Sequence, residues 1–138
     1  SYYPYFHGPI AGLRSNMRDL VSRYGKPVLI METATGWTLD DADGSGNVYN
    51  AERAAAGGYA ISPQGQARLL SDLDAALDAL PGGMGLGLFW WAPEWIAVPG
   101  VGWRSGDGNG WENQTLFDFD GRALPSLSAL GRMEPGGD

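Results

Sequence analysis

Glu32 is the residue whose setting most directly suggests chemistry. It directly follows Val28-Leu29-Ile30-Met31, a continuous apolar run of the kind found in strands buried on both faces. A carboxylate at the end of such a strand is expensive to desolvate. Either it has a catalytic task at the strand's mouth or it forms a structural ion pair with an arginine. The six tryptophans (Trp37, Trp90, Trp91, Trp95, Trp103, Trp111) all fall at or after the ends of apolar runs, and none falls in a helical stretch. Flat indole faces stack on the apolar face of a pyranose ring and leave its hydroxyls for polar partners. One tryptophan alone can equally plug a fold; the set, gathered on one side, favours a sugar cleft. A third cluster, Asp41-Ala42-Asp43-Gly44-Ser45-Gly46-Asn47, separates oxygen donors by small residues. Such a loop can curl around a hard cation such as calcium. Asp41, Asp43, Ser45 and Asn47 are the candidate ligands. With no glutamate at the twelfth loop position it is not an EF-hand, and the alternative is a solvated acidic loop.

The elements that must position these groups alternate in type. A short aromatic segment opens the chain. Leu13, Met17, Leu20, Val21 and Tyr24 then share one face of a helix over 13–24, and Gly25 is placed to stop it. The strand ending at Glu32 comes next, then a long polar, glycine-rich loop over 37–59. Ser62 and Pro63 read as N-cap and first-turn residues of a helix striped by Leu70, Leu73, Leu77 and Leu80, and Pro81-Gly82-Gly83 ends it. Residues 85–90 form a second buried strand, residues 93–112 a second long loop. Asp120-Gly121 signals a turn, and a last helix spans 125–132.

Strand–helix alternation implies a parallel sheet with crossover helices. The loops after the strands are long and those after the helices short, which is the asymmetry of a (β/α)8 barrel whose working face is built from the former. A whole barrel needs roughly 250 residues, and 138 supply about three of its eight units.

Composition removes several function classes. A net charge of −7 repels the phosphates of nucleic acid but does not penalise a neutral polymer. No apolar run approaches membrane-spanning length. The absence of cysteine excludes disulfides and thiolate zinc sites. Ser1 to Tyr5 carry neither a basic start nor an apolar stretch, so a secretion signal is expected upstream.

Several segments resemble, in order along the chain, the arabinogalactan endo-β-1,4-galactanases (glycoside hydrolase family 53, barrel clan A). Ser1-Tyr2-Tyr3-Pro4-Tyr5-Phe6-His7-Gly8 resembles the end of that family's sixth strand, and Arg23-Tyr24-Gly25-Lys26-Pro27 through Glu32-Thr33-Ala34 its seventh-strand region. Pro63-Gln64-Gly65-Gln66 and residues 85–91 resemble the next helix start and the eighth strand. Trp111-Glu112-Asn113-Gln114 and Leu116-Phe117-Asp118-Phe119-Asp120-Gly121 complete the likeness.

The resemblance implies an α/β fold, a partial (β/α)8 TIM barrel of roughly the last three βα units, strands 6 to 8. Residues 1–138 would be the C-terminal portion of a single catalytic domain. It implies hydrolysis of galactan side chains of pectin by a retaining double displacement with Glu32 as nucleophile. The partner acid would lie on a part not contained here, so the chain alone is expected to be inactive and poorly soluble. Tyr3, His7, Trp91 and Trp111 are the implied substrate-binding residues, Trp91 as the floor of the subsite at the cleavage point; Trp111 and Asn113 either bind sugar or brace their loop. No cofactor is implied for the chemistry. A structural calcium is implied at the acidic loop, where some bacterial members bind one; Ser45 stands where they carry a histidine. A secreted or periplasmic protein, monomeric at full length and acting on a polysaccharide, is expected. The family's Trp-Glu-Pro-Ala-Trp reads here Trp91-Ala92-Pro93-Glu94-Trp95, a displaced carboxylate. The competing readings are a mannanase or cellulase of the same clan and a carbohydrate-binding protein without catalysis.

Overall fold

The computed structural model describes residues 1–133. Its elements arise from local chemistry. Pro4 fixes a helical φ and has no N–H to give to a ladder, so the opening segment turns immediately into α1 (Pro4–His7). The sequence reading places a strand end here. Among the described residues its pairing to the sheet is one hydrogen bond, Tyr2 N–H to Glu32 O at 2.9 Å.

Helix α2 (Ile10–Tyr24) ends as expected on Gly25, whose φ of 58° lets its N–H reach Val21 O at 2.9 Å. Of the expected apolar stripe only Met17 and Val21 are buried; Leu20 is 38% and Tyr24 66% exposed. The difference arises because few residues of the later elements pack against α2, so only part of its face is covered.

Strand β1 (Val28–Thr33) ends in a loop over 34–50. The sequence reading leaves the next stretch as loop, whereas it contains α3 (Ala51–Gly57). Its signals are Asn50, whose side chain caps Arg53 N–H, and the helix-favouring alanines 54–56. Helix α4 (Pro63–Asp78) starts as expected, with Ser62 Oγ accepting from Gly65 N–H at 3.0 Å. It buries Leu69, Leu70, Leu73, Ala76 and Leu77. Strand β2 (Gly85–Trp90) runs parallel to β1 in the register Val28↔Gly85, Ile30↔Leu88, Thr33↔Trp90. After a loop over 91–124, α5 (Pro125–Leu130) packs on α4. Within that loop Phe117 and Ala123 form an antiparallel bridge around the Asp120-Gly121 turn.

The two-stranded sheet is an open piece of barrel wall. The apolar runs predict strands covered on both faces, but one face is bare: Leu29, Met31, Leu86 and Phe89 are 37%, 56%, 53% and 56% exposed.

The covered side is tied together through polar groups that have no water to fall back on. Gln66, fully buried on α4, donates its amide to Thr35 O (3.0 Å), Thr115 O (2.9 Å) and Gln114 O (3.3 Å), and Ser126 Oγ donates to its Oε1. One side chain thus joins α4, α5 and the loops after both strands. Gln66→Leu takes the side-chain donor from Thr35 O and Thr115 O, while Gln114 O keeps its bond from Trp90 Nε1–H, and each buried unpaired group costs about 1–3 kcal/mol. We expect a loss of at least about 2 kcal/mol in chemical denaturation; a change near zero removes Gln66 as the tie.

Candidate active site

The parallel ladder delivers Glu32 and Trp91 to one rim. Thr33 pairs with Trp90, and Trp91 N–H extends the ladder to Thr33 O at 2.9 Å. Glu32 is half-buried, and Tyr3 Oη–H donates to its Oε2 at 3.0 Å. None of the ion pairs among the described residues includes Glu32, so the arginine alternative does not apply to it. Burial first, then the bond to Glu32 and its negative charge, drive the Tyr3 phenol far above its ordinary value. The phenol is therefore the donor and Glu32 the acceptor of this bond.

Around this pair lies an open cleft of about 360 Å³ lined by Tyr3, Phe6, Glu32, Trp91, Trp103 and Trp111. Tyr3 and Trp111 are 6.0 Å apart between ring centroids, and Trp91 meets Trp111 edge-on at 6.3 Å. Larger hollows elsewhere also include carboxylates but no more than two aromatic residues each, against five here; the one beside β2 is lined by Leu29, Leu86, Phe89, Trp90, Asp74 and Asp78 among others.

Of the expected substrate-binding residues, the structure brings Tyr3, Trp91 and Trp111 into the cleft. His7 is not among its lining; its Nδ1 accepts from Tyr3 N–H at 2.9 Å, closing α1. Asn113 braces, with its amide donating to Thr38 O (3.0 Å) and Tyr49 O (2.9 Å). Of the other tryptophans, Trp90 is buried and donates Nε1–H to Gln114 O at 2.8 Å, while Trp37 packs on Phe119. Trp95 lies 6.0 Å from Trp103. Trp103, expected only as one of the tryptophan set, lines the cleft too, and so does Phe6, to which the sequence reading assigns no role. An aromatic between two site residues of a single helical turn was the available signal for Phe6. Ala92, just after Trp91, has the left-handed φ of 48°, a conformation costly for a residue with a Cβ. Glu94 is exposed and outside the cleft lining.

The acidic loop gathers more than its own residues. Asp41, Asp43 and Glu112 each place a carboxylate oxygen within 4.8 Å of the others'. Glu112 comes from the other long loop and was not among the expected ligands; its position far along the chain hid it. It is fully buried, and its Oε2 and Asn47 Oδ1 are enclosed without a hydrogen-bond partner. Burial, opposed by the Ala42 N–H bond and reinforced by Asp43 and Asp41, raises the Glu112 carboxyl above its usual range. Hydrogen bonds from Ser45 and from Asn109 N–H lower that of Asp43. Orphaned buried oxygens beside two further carboxylates fit a hard cation. The loops are also in direct contact: Gly108 lies so close to Ser45 that a Cβ there would stand 2.0 Å from the serine's own.

This open αβ wall with a carboxylate in an aromatic cleft at the carboxyl ends of its strands is a partial (β/α)8 barrel of the glycoside hydrolase type. The model of Glycosyl hydrolase family 53 matches residues 1–130, and the chain belongs to that family. The chain is 45% identical to an uncharacterized protein of Niallia circulans, covering 94% of this chain and 35% of the relative. It is 36% identical to an endo-beta-1,4-galactanase of Bacillus subtilis, covering 99% of this chain and 38% of that one. The solved GH53 catalytic domain of Ignisphaera aggregans superposes with a TM-score of 0.91 at 50% identity, over 96% of this chain and 37% of that domain. The chain thus spans a little over a third of the length of the relatives it matches.

Asn109 holds the second loop in place: its N–H donates to Asp43 Oδ2 (2.6 Å), its Oδ1 accepts from Trp111 N–H (3.0 Å), and its amide donates to Trp95 O. Asn109→Ala removes two of these three bonds, and we expect it to lower stability by about 1–3 kcal/mol and to increase hydrogen exchange at the amide of Trp111. Unchanged exchange there means the loop is held by other contacts.

Proposed function

We propose that this chain forms the C-terminal part of a retaining endo-β-1,4-galactanase, secreted and monomeric at full length, in which Glu32 is the nucleophile. The observation that carries the reading is the Glu32 carboxylate, in no ion pair among the described residues, held by Tyr3 and facing indole walls. Glu32 attacks the anomeric carbon of a galactose unit as the glycosidic oxygen takes a proton and departs with the rest of the polymer. A covalent galactosyl ester forms; water then gives a proton to the group that donated the first, attacks the same carbon and releases Glu32 as a carboxylate. The proton donor is a second carboxyl, about 5–5.5 Å away in retaining enzymes, supplied by a part of the barrel outside residues 1–138. Tyr3 fixes the orientation of Glu32 and stabilises its charge in the free enzyme; Trp91 and Trp111 hold the sugar by its apolar face. Without the donor, residues 1–138 alone are inactive.

The full-length protein is expected to cleave β-1,4-galactan and leave mannan and cellulose intact. Glu32→Gln lowers turnover at least about 10³-fold, as loss of a covalent nucleophile does, while galactan binding persists. Tyr3→Phe lowers it about ten- to a hundredfold, the worth of one hydrogen bond to a charged group. Equal turnover in Glu32→Gln and wild type removes the reading.

Asp41, Asp43 and Glu112, with Asn47 and Ser45 beside them, would hold a structural calcium ion. When bound it supplies a bridge between the two long loops and no chemistry to the reaction. Calcium at about a hundred times its Kd is expected to add about 2.7 kcal/mol of stability, seen as a rise in Tm that chelator reverses and Glu112→Gln diminishes. A Tm indifferent to calcium in both wild type and variant removes the site.

A further inference from the structure

His7 does not line the cleft, yet it is bound twice to the residue that holds Glu32. Its own N–H donates to Tyr3 O at 2.9 Å, and its Nδ1 accepts from Tyr3 N–H at 2.9 Å. The two bonds close the single turn of α1 on itself, and they also settle the state of the ring. A neutral imidazole has one accepting nitrogen and one N–H, so acceptance at Nδ1 places the proton on Nε2. An imidazolium has two N–H groups and no acceptor. Protonation at Nδ1 sets one N–H against another and takes the partner from Tyr3 N–H.

Nothing local absorbs that loss. Tyr3 is buried, and as the residue just before α1 it has no cap from its own side chain. Its hydroxyl is engaged by Glu32 Oε2 instead, at 3.0 Å. That is the long end of the usual O–H···O range of about 2.5–3.0 Å, so even a small displacement of Tyr3 weakens the bond. Tyr2 N–H to Glu32 O at 2.9 Å ties the preceding residue to β1. The phenol thus reaches Glu32 from a backbone fixed at one end by the strand and at the other by His7.

The surroundings give the imidazole no ionic partner. The rings of Tyr2 and Tyr3 stand 6.3 Å from it and that of Phe6 6.2 Å, centroid to centroid. On β1, Glu32 is engaged by Tyr3. Helix α3, which packs on α1, carries Glu52 and Arg53; the guanidinium lies over the Phe6 ring. None of the ion pairs among the described residues includes His7 or Glu52. Imidazoles as a class gain a proton within about pH 5–8 and carboxylates near about pH 4.

We propose that His7 is a positioning residue for the nucleophile. As a neutral imidazole it fixes Tyr3 and, through it, Glu32; on taking a proton at Nδ1 it gives up that hold, so activity fails on the acid side before Glu32 itself is neutralised. The inference rests on Glu32 being the nucleophile of a galactan-cleaving enzyme.

The test uses the full-length protein and follows kcat/KM for β-1,4-galactan against pH, since that ratio reports protonation in the free enzyme. His7→Asn puts an amide oxygen where Nδ1 stood, an acceptor that takes no proton in this range. It is expected to move the acid limb at least about one pH unit downward, towards the range of carboxylates. His7→Ala offers no acceptor at any pH and is expected to lower the whole profile about tenfold, the scale of one hydrogen bond. In a Tyr3→Phe background, adding His7→Asn is expected to leave the limb where Tyr3→Phe alone puts it. An acid limb that His7→Asn does not move overturns the proposal, and so does one that it moves equally in the Tyr3→Phe background. A wild-type Tm that collapses over the same pH interval assigns the limb to unfolding and overturns it as well. Failure of the wild-type protein to cleave galactan at any pH instead brings down the underlying reading, and is seen before a variant is made.

Discussion

The site depends on where a short parallel ladder stops. Strands β1 and β2 stay paired as far as Thr33 and Trp90, and the bond from Trp91 N–H to Thr33 O is the last rung. Beyond it each chain must leave the sheet, so the next side chains meet at the rim. Glu32 and Trp91 face a common cleft because of that shared end point, and Tyr2 N–H to Glu32 O brings Tyr3 to the same level from the other side. Three segments distant in sequence converge through backbone bonds alone. Side chains then refine the geometry that the ladder imposes.

The long loop after β2 is unusual in how completely its polar groups are enclosed. Glu112, Asn113, Gln114 and Thr115 are consecutive and buried, the first three as a single 3-10 turn within the long connection, whereas connecting segments ordinarily keep their backbone in water. They can be enclosed because most of their polar partners are supplied by other elements. Trp90 Nε1–H donates to Gln114 O, Gln66 donates to Gln114 O and Thr115 O, and Tyr5 Oη–H donates to Gln114 Oε1 at 2.6 Å. Asn113 returns two bonds to the loop after β1. A long loop treated this way loses its mobility and becomes a wall. Trp111, which immediately precedes these residues, is thereby presented to the cleft by a rigid support, as a binding surface requires if little free energy is to be spent on ordering it.

The parts of this arrangement legible in the sequence are those set by local chemistry. The run ending at Glu32, the Ser62-Pro63 helix start, the Gly25 stop and the strand over 85–90 are each set by residues within a few positions of one another. The parts that were not legible depend on contacts across the chain. Glu112 belongs with Asp41 and Asp43 by folding, not by spacing, so no motif could include it. His7 is expected at the site only through the family resemblance, yet its Nδ1 is taken by Tyr3 N–H; Phe6 beside it reads as an ordinary apolar residue until Arg53 is seen over its ring. Helix α3 was hidden because glycine-rich sequence on either side of it dilutes a single capped turn or two. The stripe of α2 was overread for a related reason: periodicity reports which residues share a face, and only neighbours decide how wide a face is covered.

The bare face of the sheet and the cleft have one cause. Runs such as Val28-Leu29-Ile30-Met31 suit a strand with protein on both sides, yet Leu29 and Met31 meet solvent here, as do Leu86 and Phe89 across the ladder. An exposed apolar patch of this kind is a contact surface waiting for protein, and the strand edges beside it have unpaired backbone groups. The relatives are nearly three times as long as the stretch they share with this chain, and closure of a barrel covers both features together. The retaining mechanism proposed above needs a second carboxyl across from Glu32, and among the described residues none but Glu32 lines the cleft. Apolar surface, unpaired edges and missing acid are therefore three expressions of the same incompleteness.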